Sequence, residues 1–344
     1  MIEVKNLTKY YGRNKGLNNV SFTVEEGSIV GFLGPNGAGK STAMNIITGY
    51  LSATSGTVKI KGKDTLVEPN ETKSMIGYLP ELPPLYMDMT VKEYLNFMYD
   101  LKKVKLPKEA HIREICEVVK ITNVFGRLVG NLSKGYKQRV GIAQALIGNP
   151  PVLILDEPTV GLDPKQIIEI RNLIKKLGEQ HTIILSSHIL PEVQAVCERI
   201  LIINNGELVA DGAADKLARD LSSEHKLIIR VEGSEREVLH AIKGLDYVIE
   251  VTSLGEKEPG VFEFEVESEE DKDIRKNLFA LLARCGWPLL ASKNTDLTLE
   301  EVFLQLINSD NSVKYIQTEE VEEAEEAEEE TEQSEGEKTD ESNT

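Results

Sequence analysis

The chain has 344 residues, 40% of them hydrophobic, enough for a sizeable core and for more than one domain. Its three cysteines, Cys116, Cys197 and Cys285, stand far apart with no paired spacing. That pattern argues against a disulfide framework or a zinc site, so all three are expected to pack as ordinary side chains in a reducing compartment. The formal charge of −18 is uneven: Thr318 to Thr344 carries fourteen acidic residues and one lysine, a net −13, which leaves −5 for the rest and argues against a nucleic-acid partner.

In chain order, Ile2 to Asn6, Val20 to Val24 and Thr57 to Lys61 have the β-branched character of strands in a small antiparallel sheet. Between the second and third of these lies SIVGFL, Ser28 to Leu33, an aliphatic run of the kind buried on both faces of a parallel sheet. GPNGAGKST follows it, and then a helical pattern from Ser41 to Tyr50. From Thr90 to Ile121 the pattern is again helical. VLIL (Val152 to Leu155) runs into DEPT, and TIIL (Thr182 to Leu185) runs into SSH. In an open α/β sheet, ligands gather beyond the carboxyl ends of the parallel strands, so these three polar clusters are expected to face one site.

Ile200 to Asn204 and Glu207 to Asp211 flank Asn205 and Gly206, a two-residue hairpin signal. From Leu227 the order becomes strand, helix, strand, strand, helix, strand, the split unit of ferredoxin-like domains, with Phe262, Phe264 and Val266 on one face. Thr298 and Glu301 have capping-box spacing at the start of a closing helix, LTLEEVFLQLI. The acidic segment beyond it lacks the large apolar side chains needed to offset ordering entropy and is expected to be disordered. No apolar run approaches the roughly 18 residues that cross a bilayer, and MIEVKNLTKYYG has no signal-peptide core. A soluble chain is expected, with any membrane role supplied by a partner.

Gly34 to Ser41 satisfies GxxxxGK[ST] between a strand and a helix. Such a loop, Gly34, Pro35, Asn36, Gly37, Ala38 and Gly39, curls so that several of its backbone N–H groups surround phosphate oxygens at a helix N-terminus, with Lys40 reaching the outer phosphates and Ser41 a magnesium ion; Thr42 follows in the same turn. Asp156 and Glu157 are adjacent acids at the end of a buried strand. Beside a phosphate loop, Asp156 suits the Mg²⁺ shell and Glu157 the activation of a water. His188, at another strand end, suits the terminal phosphate.

The ordered set of phosphate loop, YLPE, LSKGY, LILDEP, GLD and SSH resembles the ATP-binding subunits of ABC transporters over residues 1 to 220. The resemblance implies an α/β P-loop NTPase cassette with a parallel-sheet core, an antiparallel β-subdomain and a helical subdomain at about 85–150. To it are joined the ferredoxin-like α+β domain at 225–308 and the disordered acidic tail at 309–344. It further implies ATP and Mg²⁺ as ligands, Glu157 as catalytic base, His188 as switch histidine, and Tyr11 stacking on adenine, with neighbouring Tyr10 as the other candidate. Asp163 matches the loop that links paired sites, and Ser133 and Gly135 match the signature loop that caps the ATP of a second cassette. The partners implied are therefore a second copy of the chain and a separate integral membrane permease, with the chain held at the cytoplasmic face of the membrane. Pro80 to Glu93 is the segment expected to meet that permease.

Two positions depart from the family pattern. LSKGY stands where LSGGQ is usual, and Lys134 there adds a charge that favours phosphate. Glu81 stands where Gln is usual, still able to reach Mg²⁺ but adding negative charge. Both variants, with PLYMDMTV, resemble exporter-type cassettes and gliding-motility ATP-binding subunits in particular. The alternative is a soluble ABC ATPase acting on ribosomes or DNA, which usually carries two cassettes or long coiled-coil insertions that this sequence lacks.

Overall fold

The computed structural model describes residues 1–214, 216–217, 226–269, 272–294, 303–304 and 316–317. It divides into two compact units, Met1–Ala214 with the stretch from Leu306, and Asp215–Gln305.

The first unit opens with long antiparallel strands β1 (Ile2–Tyr11) and β2 (Asn14–Val24), then β3 (Ile29–Leu33) and α1 (Lys40–Ile47). Next come β4 (Ser55–Ile60), β5 (Lys63–Asp64), α2 (Pro69–Ser74) and β6 (Ile76–Leu79). Three helices, α3 (Val91–Leu101), α4 (Lys108–Val118) and α5 (Lys134–Leu146), precede β7 (Val152–Asp156), α6 (Pro164–Gly178), β8 (Thr182–Ser187), α7 (Leu190–Gln194), β9 (Arg199–Asn204) and β10 (Glu207–Ala213).

The central sheet has the order β10-β9-β3-β8-β7-β6, with Ile316–Gln317 paired beside β10. From β9 to β6 neighbouring strands are parallel. β3, β7 and β8 are buried at every position, which is why their sequences are almost unbroken aliphatic runs. Their polar continuations emerge at the same sheet edge. β2, β1, β4 and β5 form the separate antiparallel sheet, and each expected strand there is longer than its aliphatic stretch suggested. β6, IGYL, carries only four residues of signal and runs into Pro80, so the sequence showed its motif but not its strand.

The second unit runs β11 (Lys226–Glu232), α8 (Glu235–Lys243), β12 (Val248–Glu258), β13 (Val261–Ser268), α9 (Arg275–Cys285) and β14 (Leu289–Asn294), in antiparallel sheet order β12-β13-β11-β14. Leu227, Ile229, Val231, Phe264 and Val266 from the sheet meet Val238, Ile242, Leu278 and Leu282 from the helices in its own core. Phe262 shares that face but is only partly buried. Cys116 and Cys197 are packing residues as expected, whereas Cys285, at the end of α9, is exposed. The capping box at Thr298 and Glu301 and the acidic segment from Thr318 lie outside the described residues.

Candidate functional site

β3 delivers the chain into the glycine-rich turn and α1 carries it away. Lys40 is buried, and its Nζ donates to the carbonyls of Gly34 at 2.7 Å and Pro35 at 3.1 Å, so the ammonium is held back over its own loop. Gly39 has φ 110°, and a Cβ there would lie 2.7 Å from the Gly16 carbonyl oxygen, so only glycine makes this turn. The β9–β10 hairpin supports the loop from behind. Asn205 and Gly206 both have positive φ, at 50° and 80°. The Gly206 N–H donates to the Ala38 carbonyl at 2.9 Å, and the Gly206 carbonyl accepts from Asn18 N–H at 2.7 Å.

At the end of β7, Asp156 accepts a hydrogen bond from Ser186 Oγ, and that hydroxyl in turn accepts from Glu157 N–H at 3.0 Å. One serine thus fixes both acids against β8. Glu157 has φ 49°, a left-handed conformation that costs about 1–3 kcal/mol in a side-chain-bearing residue and clusters at functional sites. Its buried carboxylate lies between two nitrogen groups: Lys40 Nζ is 3.6 Å away, and His188 Nδ1 is 3.0 Å from both oxygens. Such pairing is what a buried charge requires. Burial, with Asp156 and Glu81 nearby, pushes the Tyr78 phenol well above its ordinary pKa.

A cavity of about 500 Å³ collects these groups. Tyr11, Asn36, Gly37, Gly39, Lys40, Ser41, Thr42, Glu81, Glu157 and His188 line it, together with Gly16 and Val160. Of the two tyrosines left open by the sequence, Tyr11 faces the cavity, its hydroxyl 3.4 Å from Thr42 Oγ1, and Tyr10 does not line it. Gly34, Pro35, Ala38 and Asp156 stand behind the lining as supports. Gly16 escaped the sequence reading. A Cβ there would lie 2.8 Å from the Tyr11 ring, and a lone glycine inside a strand is the signal that marks such a close approach. No cluster of three or more His, Cys, Asp or Glu side chains among the described residues could hold a metal alone. Ser41, Glu81 and Asp156 are oxygen donors, which suits a hard cation that keeps waters and substrate phosphates as its other ligands.

Ser133 and Gly135 are elsewhere. They line a second cavity of about 350 Å³ with Lys120, Tyr136, Asp163, Lys165 and Gln166, and it shares no lining residue with the first. Ser133 caps α5, its Oγ accepting from Tyr136 N–H at 3.5 Å, and Asp163 caps α6, its Oδ1 accepting from Gln166 N–H at 2.9 Å. A Cβ on Gly135 would lie 2.4 Å from Gln166 Oε1, so the absence of a side chain at Gly135 admits the amide of α6. Tyr136 accepts from Asn123 Nδ2 at 2.8 Å. Lys134 reaches toward the loop before α6, where a Cβ on Gly161 would stand 1.9 Å from its Nζ.

A family model described as ABC transporter matches residues 17–160. The chain is 32% identical over 310 residues to the ABC transporter ATP-binding protein YxlF of Bacillus subtilis, covering 90% of this chain and 100% of the relative. It is 37% identical over 242 residues to the bacitracin transport ATP-binding protein BcrA of Bacillus licheniformis, covering 67% of this chain and 78% of the relative. Among solved structures, the dimeric cassette MJ0796 aligns with a TM-score of 0.57 at 30% identity, covering 62% of this chain and 98% of that one. A post-hydrolysis form of MJ0796 bound to ADP and Pi aligns at 29% identity with the same TM-score, 0.57.

Proposed function

The chain belongs to the ATP-binding subunits of ABC transporters, and from that premise we propose that it hydrolyses ATP in a head-to-tail pair of its own copies to drive export through a separate membrane permease. The observation that carries the pairing is the separation of the two cavities, which share no residue within one chain. A second copy, turned end for end, would bring its Ser133 and Gly135 over the triphosphate held by the first.

In this reading Tyr11 stacks on the adenine, and the backbone N–H groups of the loop from Gly34 to Gly39 hold the phosphates. Lys40, now hydrogen-bonded to its own loop, turns to the outer phosphate oxygens when they arrive. Ser41, Asp156 and Glu81 would hold Mg²⁺, which when bound neutralises charge on those oxygens. Glu157 accepts a hydrogen bond from the attacking water and takes its proton as the water's oxygen bonds to the γ-phosphorus and the bond to ADP breaks. His188, within hydrogen-bond distance of Glu157, orients that carboxylate and contacts the γ-phosphate. Phosphate release removes what holds the two copies together, and the pair opens.

The permease would dock on Pro80 to Glu93. Leu82, Tyr86 and Met87 in that segment are 84%, 47% and 50% exposed, and Tyr86 packs edge-on against Phe97 of α3. Exposed apolar groups gathered in this way mark interaction surfaces. The chain would then work at the cytoplasmic side of the membrane. Export is favoured by the exporter-like signature and by relatives named for bacitracin transport and linearmycin resistance.

Complementation tests the pairing. Ser133→Arg should block the signature cavity and Lys40→Ala the phosphate loop, so each variant alone is inactive. Mixed, they retain one intact composite site per heterodimer, and ATPase activity should reappear at up to about a quarter of native. No recovery on mixing, with both variants folded and able to pair, would refute the shared site.

A further inference from the structure

We propose that Glu192 is a positioning residue for hydrolysis, holding the loops that carry Glu157 and His188 in one register; this rests on the roles given to those two residues above. Glu192 sits in the short helix α7 and is buried, with 5% of its surface exposed. Neither a phosphate-loop nor a signature contact reaches it. Instead, hydroxyls from the turn after β7 and from the last residue of β8 converge on a single oxygen: Thr159 Oγ1 donates to Glu192 Oε2, and Ser187 Oγ lies 3.5 Å from the same atom.

Each hydroxyl stands beside a residue of the site. Thr159 is two positions after Glu157 in a tight turn, where Val160 N–H donates to the Glu157 carbonyl at 3.2 Å and Leu162 N–H to that of Thr159 at 3.2 Å. Holding Thr159 therefore holds the turn that gives Glu157 its left-handed backbone. Ser187 immediately precedes His188. Its Oγ accepts from Ile189 N–H at 3.1 Å, which leaves its own proton free to point at Glu192.

The carboxylate is itself anchored. The next residue, Val193, is fully buried, and a Cβ placed on Gly31 of β3 would stand 2.1 Å from Val193 Cγ1, so α7 rests directly on the strand that feeds the phosphate loop. Arg171 of α6 is the cation nearest to Glu192 in the ion pairs, but its NH2 is 3.9 Å from Oε1, and its buried Nε has no hydrogen-bond partner. The close partners of the carboxylate are thus the two hydroxyls, and its geometry ties the turn after β7 to the end of β8.

The test is steady-state ATPase kinetics on the full chain. Glu192→Ala should lower kcat at least about tenfold while KM for ATP stays within about twofold, because the group acts on the reacting geometry and touches no nucleotide. Glu192→Gln keeps an oxygen acceptor and should recover to within about threefold of native kcat. Thr159→Val and Ser187→Ala should each lower kcat by a smaller factor, and neither should lower it further in the Glu192→Ala background, since the shared acceptor is already gone. Native kcat in Glu192→Ala overturns the proposal. So does a loss that Glu192→Gln shares in full and that follows a fall in melting temperature, which is a scaffold role. If Glu192→Ala does not fold, the other variants decide, and native kcat in both Thr159→Val and Ser187→Ala refutes it. Glu157→Gln is measured alongside: native turnover there removes the premise, whereas its loss together with intact Glu192→Ala turnover refutes only the positioning role.

Discussion

The two cavities of the first unit are built from opposite ends of secondary structure. The first lies at the carboxyl ends of β3, β7 and β8, and its charges are buried: Lys40, Asp156 and Glu157 are 6%, 2% and 6% exposed. Charges so deep must be satisfied within the chain before it can fold, and Gly34, Pro35, Ser186 and His188 provide the partners. The second lies at the N-termini of α5 and α6, where Ser133 and Asp163 cap their helices beside exposed lysines. Lys120, Ser133, Asp163 and Lys165 there are exposed, so nothing in one chain compels them to meet a ligand. In the proposed pairing, the difference means that one half of the site is organised by folding and the other is left to be completed by association.

The largest effect should come from breaking the organised half. Glu157→Gln removes the negative charge between Lys40 and His188 at nearly constant shape. Turnover should fall by a factor on the order of 10²–10⁴, and an ATP-bound pair of chains should persist on a sizing column. Normal hydrolysis by this variant would remove Glu157 from the chemistry and leave the contrast between the cavities without a catalytic meaning.

A smaller effect should come from the other half. Gly135→Val pushes a side chain into Gln166, whose Oε1 would lie only 2.4 Å from the new Cβ. Turnover should fall roughly 10- to 100-fold, while ATP binding to dilute single chains, followed by nucleotide fluorescence, should change less than about twofold. If binding falls in step with turnover, the two cavities are not separable.

How much of this was legible in the sequence follows the same division. The strand-end half was readable almost residue by residue, because burial forces aliphatic runs and each run ends in an abrupt polar cluster. Tyr11 was not separable from Tyr10, since both end β1 and only tertiary contacts, with Gly16 and Thr42, distinguish one ring from the other. Glu192 carried no signal at all, because its partners Thr159 and Ser187 lie 33 and 5 positions away and are joined only by the sheet. The helix-end half was readable through the family resemblance, while its neighbours Lys120 and Gln166 belong to no motif and meet Ser133 and Gly135 only through helix packing. The second unit was legible as an order of elements, with Cys285 misjudged because a helix end offers less periodicity than a helix middle.

The smallest effect concerns the far end of α5, the helix whose first turn holds Ser133 and Gly135. There Gly148 N–H donates to His111 Nε2 at 3.0 Å, so the imidazole must be neutral to accept it, and Lys102 Nζ donates to the carbonyls of Gln144 at 2.9 Å and Ile147 at 3.0 Å. Burial holds the His111 pKa below its ordinary value, outweighing nearby Glu114. In the unfolded chain the same ring protonates near its usual 6.5, so the unfolded state binds the extra proton first. The contribution of His111 is therefore fully present above that pH and is lost as pH falls through 6.5 toward the folded-state value. The limiting slope is about 1.4 kcal/mol per pH unit. Urea midpoints of the native chain should drop between pH 7.5 and 5.5 by more than those of His111→Gln, whose side-chain oxygen accepts from Gly148 without titrating. Equal drops would mean that this end of α5 is not tied down by a neutral imidazole. The helix presenting the second cavity would then be as loosely held at its base as it is open at its tip.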